Sequence, residues 1–143
     1  TNMRILSIFL GLVMITAISG CLGGSVGSDA TSELLIYNDL TGALIADGSA
    51  DGAITLNLGD TREIRVMRRV IDEDQGTTST NVTADADYNV SNTNVIAVAD
   101  GGSATPGVIT ATAVGTTQLE VIFREGNDPS NDDSANITVN VLP

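Results

Sequence analysis

The chain has 143 residues, 42 % of them hydrophobic, with 18 acidic residues against six basic ones and a formal net charge of −12. All six cations are arginine, there is no histidine or tryptophan, and there is a single cysteine. This length suits one domain. The inventory excludes histidine-assisted nucleophiles, imidazole or thiolate metal clusters and an intrachain disulfide, and so acidic a surface repels nucleic acid.

Arg4 is the only charge before Asp29, and it precedes an apolar run from Ile5 to Ile18. A helix of that run rises about 1.5 Å per residue and falls short of a hydrocarbon core about 30 Å thick. A positive start, a short apolar stretch and small residues after it predict a secretory signal helix. The next residues, Ile18-Ser19-Gly20-Cys21, resemble the lipobox of prokaryotic lipoproteins. That resemblance implies cleavage before Cys21, a diacylglycerol thioether on Cys21, and attachment to a membrane. Leu22, rather than Asp, follows the cysteine, which in a Gram-negative cell resembles outer-membrane sorting. Two other readings stay open: a plain signal peptide cut near a cysteine, and an uncleaved anchor stretched from Ile5 to Leu22.

The segment 21–32 is Gly/Ser-rich after its cysteine and has no periodicity. It is expected to be a flexible tether reaching about 15–20 Å. The folded domain is expected from Glu33 to Pro143, with residues 1–20 as the signal peptide.

From Glu33 onward the period is two. Ile54, Leu56 and Leu58 alternate with polar neighbours, followed by Ile64 and Val66 in an arginine-rich stretch. Val82, Ala84, Ala86, Tyr88 and Val90 follow, then Leu119, Val121 and Phe123, and finally Ile137, Val139 and Val141. Each run has one apolar and one wet face, the pattern of half-buried antiparallel strands. Turn signals such as Asp47-Gly48, Gln75-Gly76, Pro106-Gly107 and Val114-Gly115 separate them. Together they predict an all-β, Ig-like antiparallel β-sandwich of about seven strands, with few aromatic anchors.

Four segments carry a family resemblance. They are Leu58-Gly59-Asp60-Thr61, the stretch from Tyr88 to Val98, the stretch from Gly107 to Thr117, and Ala135 to Val141. They resemble bacterial Ig-like group 2 (BIG2) domains over roughly residues 33 to 142. The stretch from Asp39 to Gly52 is longer than that family's usual first connection, and Tyr88 stands where the family often has Trp. The resemblance implies an extracytoplasmic structural or adhesive module without catalysis, with Gly115 in a hairpin between core strands.

Candidate chemistry is sparse. Asp128, Asn131, Asp132 and Asp133 form the loop best supplied with oxygens for calcium, although no EF-hand spacing is present. The alternative is a solvated acidic turn. Paired carboxylates in turns without aromatic neighbours make a poor glycosidase. Arg62, Arg65, Arg68 and Arg69 lie within eight residues. Alternation places Ile64, Val66 and Val70 inward and Arg65, Met67 and Arg69 outward. It also turns Arg68 inward, where it needs a strand end or an acid. The four arginines serve either cross-strand ion pairs or docking of an acidic partner or lipid headgroups. Asn81, Asn89 and Asn136 each begin a glycosylation-type triplet.

The expected function is therefore a non-catalytic one. A membrane-anchored surface lipoprotein is expected, its Ig-like domain serving as a binding, adhesion or spacer module. Its partner would be another surface protein, a polysaccharide or a second copy. The alternative is a structural subunit of a surface filament or layer, assembling through strand edges or a retained apolar helix.

Overall fold

The computed structural model describes residues 30–126 and 129–143. The expected signal helix and residues 21–29 of the expected tether lie outside the described residues. The described chain is all-β, with no α-helix. Its ten strands are β1 (Thr31–Asn38), β2 (Leu44–Asp47), β3 (Gly52–Asn57), β4 (Thr61–Asp72), β5 (Gly76–Asn81), β6 (Asp87–Val90), β7 (Ile96–Val98), β8 (Val108–Ala111), β9 (Gly115–Phe123) and β10 (Asp133–Leu142). A 3-10 turn covers Pro129–Asn131.

The strands make two sheets. One has the order β2-β1-β4-β8-β7, with β5 also paired to β4; the other has the order β3-β10-β9-β6. β4 organises the first sheet. β1 runs antiparallel along one edge of it, from Thr31 opposite Ile71 to Asn38 opposite Ile64. On the other edge β8 takes Thr61–Glu63 and β5 takes Met67–Asp72. In the second sheet β10 is central, antiparallel to β9 and parallel to β3.

Alternation builds the core. Leu34, Ile36, Ile64, Val66, Ile96 and Ile109 from the first sheet meet Leu56, Leu119, Val121, Ile137 and Val139 from the second in one buried cluster. The two inner faces interdigitate as in a β-sandwich. Among the described residues Tyr88 is the only aromatic in the buried core, and its hydroxyl donates to the Thr83 carbonyl at 2.8 Å. Its ring is thus buried without stranding its polar end.

The structure departs from the sequence reading in several places. There are ten strands rather than about seven, because β2 fills the long Asp39–Gly52 connection and β5 is an apolar-free strand with no pattern to detect. One pair, β3 with β10, is parallel. The domain opens at Thr31, two residues before Glu33, because Thr31 and Ser32 already pair with Ile71 and Val70. The Val82–Val90 run is not one strand. Asn81 Oδ1 accepts from the Thr83 amide and hydroxyl, and Asp85 N donates to Val82 O, so the chain turns and Ala84 is exposed. Leu58 lies past the end of β3 and is exposed. Gly115 opens β9 in the second sheet after β8 in the first, so it marks a crossing between sheets rather than a hairpin.

Gly52 shows why one glycine is required inside a strand. A Cβ there would lie 2.3 Å from the Ile45 carbonyl oxygen and 2.8 Å from the Ala46 Cβ. The backbone of β3 passes against β2 at that point, and only hydrogen fits.

Candidate functional site

One residue from each of the two polar clusters singled out from the sequence meets the other in space: Arg68 and Asp133. Arg68 projects from the inner face of β4 near its C-terminal end, and the loop before β10 brings Glu125 and Asp133 to it. Arg68 Nε donates to Asp133 Oδ2 at 2.8 Å, and its Nη2 donates to Glu125 Oε2. Asp133 Oδ1 accepts from the Ser32 hydroxyl at 2.7 Å. The guanidinium also lies over the Phe123 ring, 5.4 Å from its centroid. Arg68 and Asp133 are mostly covered, with side chains 15 % and 10 % exposed. Burial works against the Arg68 charge, but the hydrogen bonds that Arg68 donates to the two carboxylates outweigh it and hold the group above its ordinary value.

Above this clasp lies a cleft of about 570 Å³ lined by Thr31, Ser32, Arg68, Glu125, Asn131 and Asp133, among others. Arg68, Glu125, Asp133 and Ser32 are partnered with one another across it. The Arg68 fork is filled by two acids, and both oxygens of Asp133 accept hydrogen bonds. The Ser32 hydroxyl donates to a carboxylate that is already paired with Arg68. The arrangement fastens the first strand to the last.

The other arginines do not join Arg68 in one patch. Because side chains alternate along a strand, Arg65 and Arg69 leave from the outer face of β4, while Arg62 shares the Arg68 face six residues away. Arg69 pairs with Glu33 across β1. Arg65 pairs with Asp39 at 3.6 Å and lies over the Tyr37 ring, 5.9 Å from its centroid. Arg62 is half-buried beside Ile109 and has no ion pair among the described residues. Arg124 pairs with Asp87 and, at 3.5 Å, with Asp132.

The calcium candidates are divided in the same way. Asp128 lies outside the described residues. Asn131 is exposed, Asp132 faces Arg124, and Asp133 faces Arg68 and Ser32. Among the described residues no three Asp, Glu or Cys side chains gather to share a metal ion. Cys21 also lies outside the described residues. Of the glycosylation-type asparagines, Asn81 and Asn89 are exposed and Asn136 is half-buried.

Two contributors were not legible in the sequence: Ser32, which belonged to an apparent tether, and Glu125, which carried no pattern. The inward position of Arg68 on an alternating strand did signal that an acid was needed. No family model matches the chain, and no curated protein sequence matches it.

Proposed function

We propose that this protein is a cell-surface lipoprotein, held on a membrane by acyl chains on Cys21, whose Ig-like β-sandwich is a non-catalytic binding, adhesion or spacer module. The observation that carries this reading is the junction Ile18-Ser19-Gly20-Cys21, with its lone cysteine ten residues before the first strand. A free thiol would be an oddity in a secreted domain, and lipidation removes it. Acyl chains contribute about 0.8 kcal/mol per buried CH₂, so two or three of them anchor firmly.

The strand order supports the Ig-like part. Taking β1, β4, β8 and β7 as A, B, E and D gives one sheet of that fold, and β6, β9 and β10 as C, F and G give the other. β3, parallel to β10, and the outlying β2 and β5 are additions to that frame. Three of the BIG2-like segments coincide with strands: Tyr88–Val98 spans most of β6 and all of β7, Gly107–Thr117 covers β8 and the start of β9, and Ala135–Val141 lies in β10. A polar site whose charges neutralise one another supports the non-catalytic reading.

Intact mass of the protein recovered from cell membranes tests the proposal. The expected product begins at Cys21 and carries acyl mass. A product with a bare Cys21 overturns the lipid anchor, and one retaining residues 1–20 replaces it with an apolar-helix anchor.

A further inference from the structure

We infer that two copies of this protein pair through the free edge of β5, in an antiparallel register centred on Ser79. The inference stands apart from the lipid anchor, since it uses only the fold. β5 is bonded to β4 on one side, with pairs running unbroken from Met67 opposite Asn81 to Asp72 opposite Gly76. Val82 N donates to Val66 O at 2.9 Å, one step beyond that ladder. Bonded and non-bonded pairs alternate in an antiparallel ladder. Gly76, Thr78 and Thr80 therefore turn their amides to β4, and Thr77, Ser79 and Asn81 turn theirs outward.

Natural sheet edges are blunted by charge, proline, bulges or shortness. β5 has none of these. Its sequence Gly-Thr-Thr-Ser-Thr-Asn has no charge, its register has no bulge, and all six residues are exposed. Of the other edge strands, β2, β7 and β6 are only three or four residues long, and β3, also six residues, buries every second one, whereas β5 is exposed throughout.

The strand fits itself. About Ser79 the sequence is nearly palindromic, so Thr78 would face Thr80 of the second copy and Thr77 would face Asn81. Each outward-turned residue then meets another outward-turned residue, which allows three bonded pairs and six main-chain hydrogen bonds. Thr–Thr pairs across strands are favourable. Two molecules that each carry a net charge of −12 need a seam without carboxylates, and this strand provides one. One strand pair buries less than the roughly 800 Å² per partner of a standard interface, so pairing is weak in dilution and favoured where copies crowd on a surface.

The test is disulfide trapping of the full chain at high protein concentration under mild oxidation. In the proposed register the two Ser79 Cα atoms lie about 5.5 Å apart, within disulfide range, whereas the two Thr77 Cα atoms are four residues out of step, about 13 Å apart. Ser79→Cys is expected to give several-fold more covalent dimer than Thr77→Cys, and Thr77→Cys mixed with Asn81→Cys is expected to link. Equal dimer from Ser79→Cys and Thr77→Cys, or none from either, overturns the pairing. Cys21 is common to all variants, so a bare sulfur there raises every band alike and the comparison still decides. β5 is exposed throughout, and far-ultraviolet circular dichroism confirms that each variant retains its β-structure.

Discussion

Ser32 and Asp133 stand 101 residues apart in the chain and 2.7 Å apart in space, hydroxyl to carboxylate. The same carboxylate receives Arg68 from β4. One acid at the head of the last strand thus fastens the head of the first strand to the middle of the sheet.

Breaking this clasp from one side should be costly. Arg68→Met leaves Asp133 largely covered without its cation, and a loss of about 2–3 kcal/mol is expected, less than for a fully buried pair because Glu125 is exposed. Adding Asp133→Asn should restore part of that loss. Urea unfolding of the two single variants and the double variant measures the coupling. Simple additivity would show that the two side chains do not act together.

Gly52→Ala should destabilise through a backbone clash. The new methyl group would meet the Ile45 carbonyl oxygen, which cannot move without shifting β2. About 2–3 kcal/mol is expected, at the upper end of overpacking. A thermal melt of the variant checks it, with Gly126→Ala in an open turn as the contrast for strain without a clash.

Tyr88 sets an alkaline limit. Burial, and to a lesser degree the Asp100 carboxylate, pushes its hydroxyl up to about 12 from an ordinary value near 10. In the unfolded chain the proton leaves first. The contribution to stability is therefore fully present below about pH 10 and declines as pH rises to about 12, by roughly 2–3 kcal/mol in total. Stability measured against pH should lose that part of its alkaline slope in Tyr88→Phe. An unchanged slope would contradict the assignment.

Thr117 holds the turn after β6. Its hydroxyl oxygen accepts from Asn92 N at 3.0 Å and lies 3.1 Å from the Ser91 hydroxyl, with the residue only 3 % exposed. Thr117→Val keeps the shape and strands the Asn92 amide, at a cost of about 1–2 kcal/mol. Thr117→Ser keeps the bond and should cost less. Chemical denaturation distinguishes the two variants.

Calcium at about 1 mM, the range of extracellular modules, should leave the melting temperature unchanged. Asp132 and Asp133 already face Arg124 and Arg68. A rise in melting temperature would reveal a site built around them.

Strands with a clean apolar period were legible in the sequence. Ile137, Val139 and Val141 are buried as alternation requires, as are Leu119 and Val121. The period failed where side chains rather than apolarity set the path. Asn81 and Thr83 fold a turn into an otherwise alternating run, and β5 offers only hydroxyls and amides to a reader of hydropathy. β1 was hidden for the opposite reason. Leu35 is buried on the outer face beside Tyr37 and Met67, while Leu34 and Ile36 fill the core, so the strand has no wet side at its centre. The clasp was half legible. An inward arginine announces that it needs an acid, but Asp133 lies 65 residues away, and only the closure of the two sheets brings it near.

β1 and β10 begin at the same pole, and β10 then carries the chain nine residues to Leu142, about 30 Å away. A pull between residue 30 and Leu142 therefore acts along both strands and loads their ladders in shear. Bonds strained that way must yield together, whereas a hairpin peeled from its tip gives up one bond at a time. The domain is suited to carry tension between whatever holds its first strand and whatever grips its last.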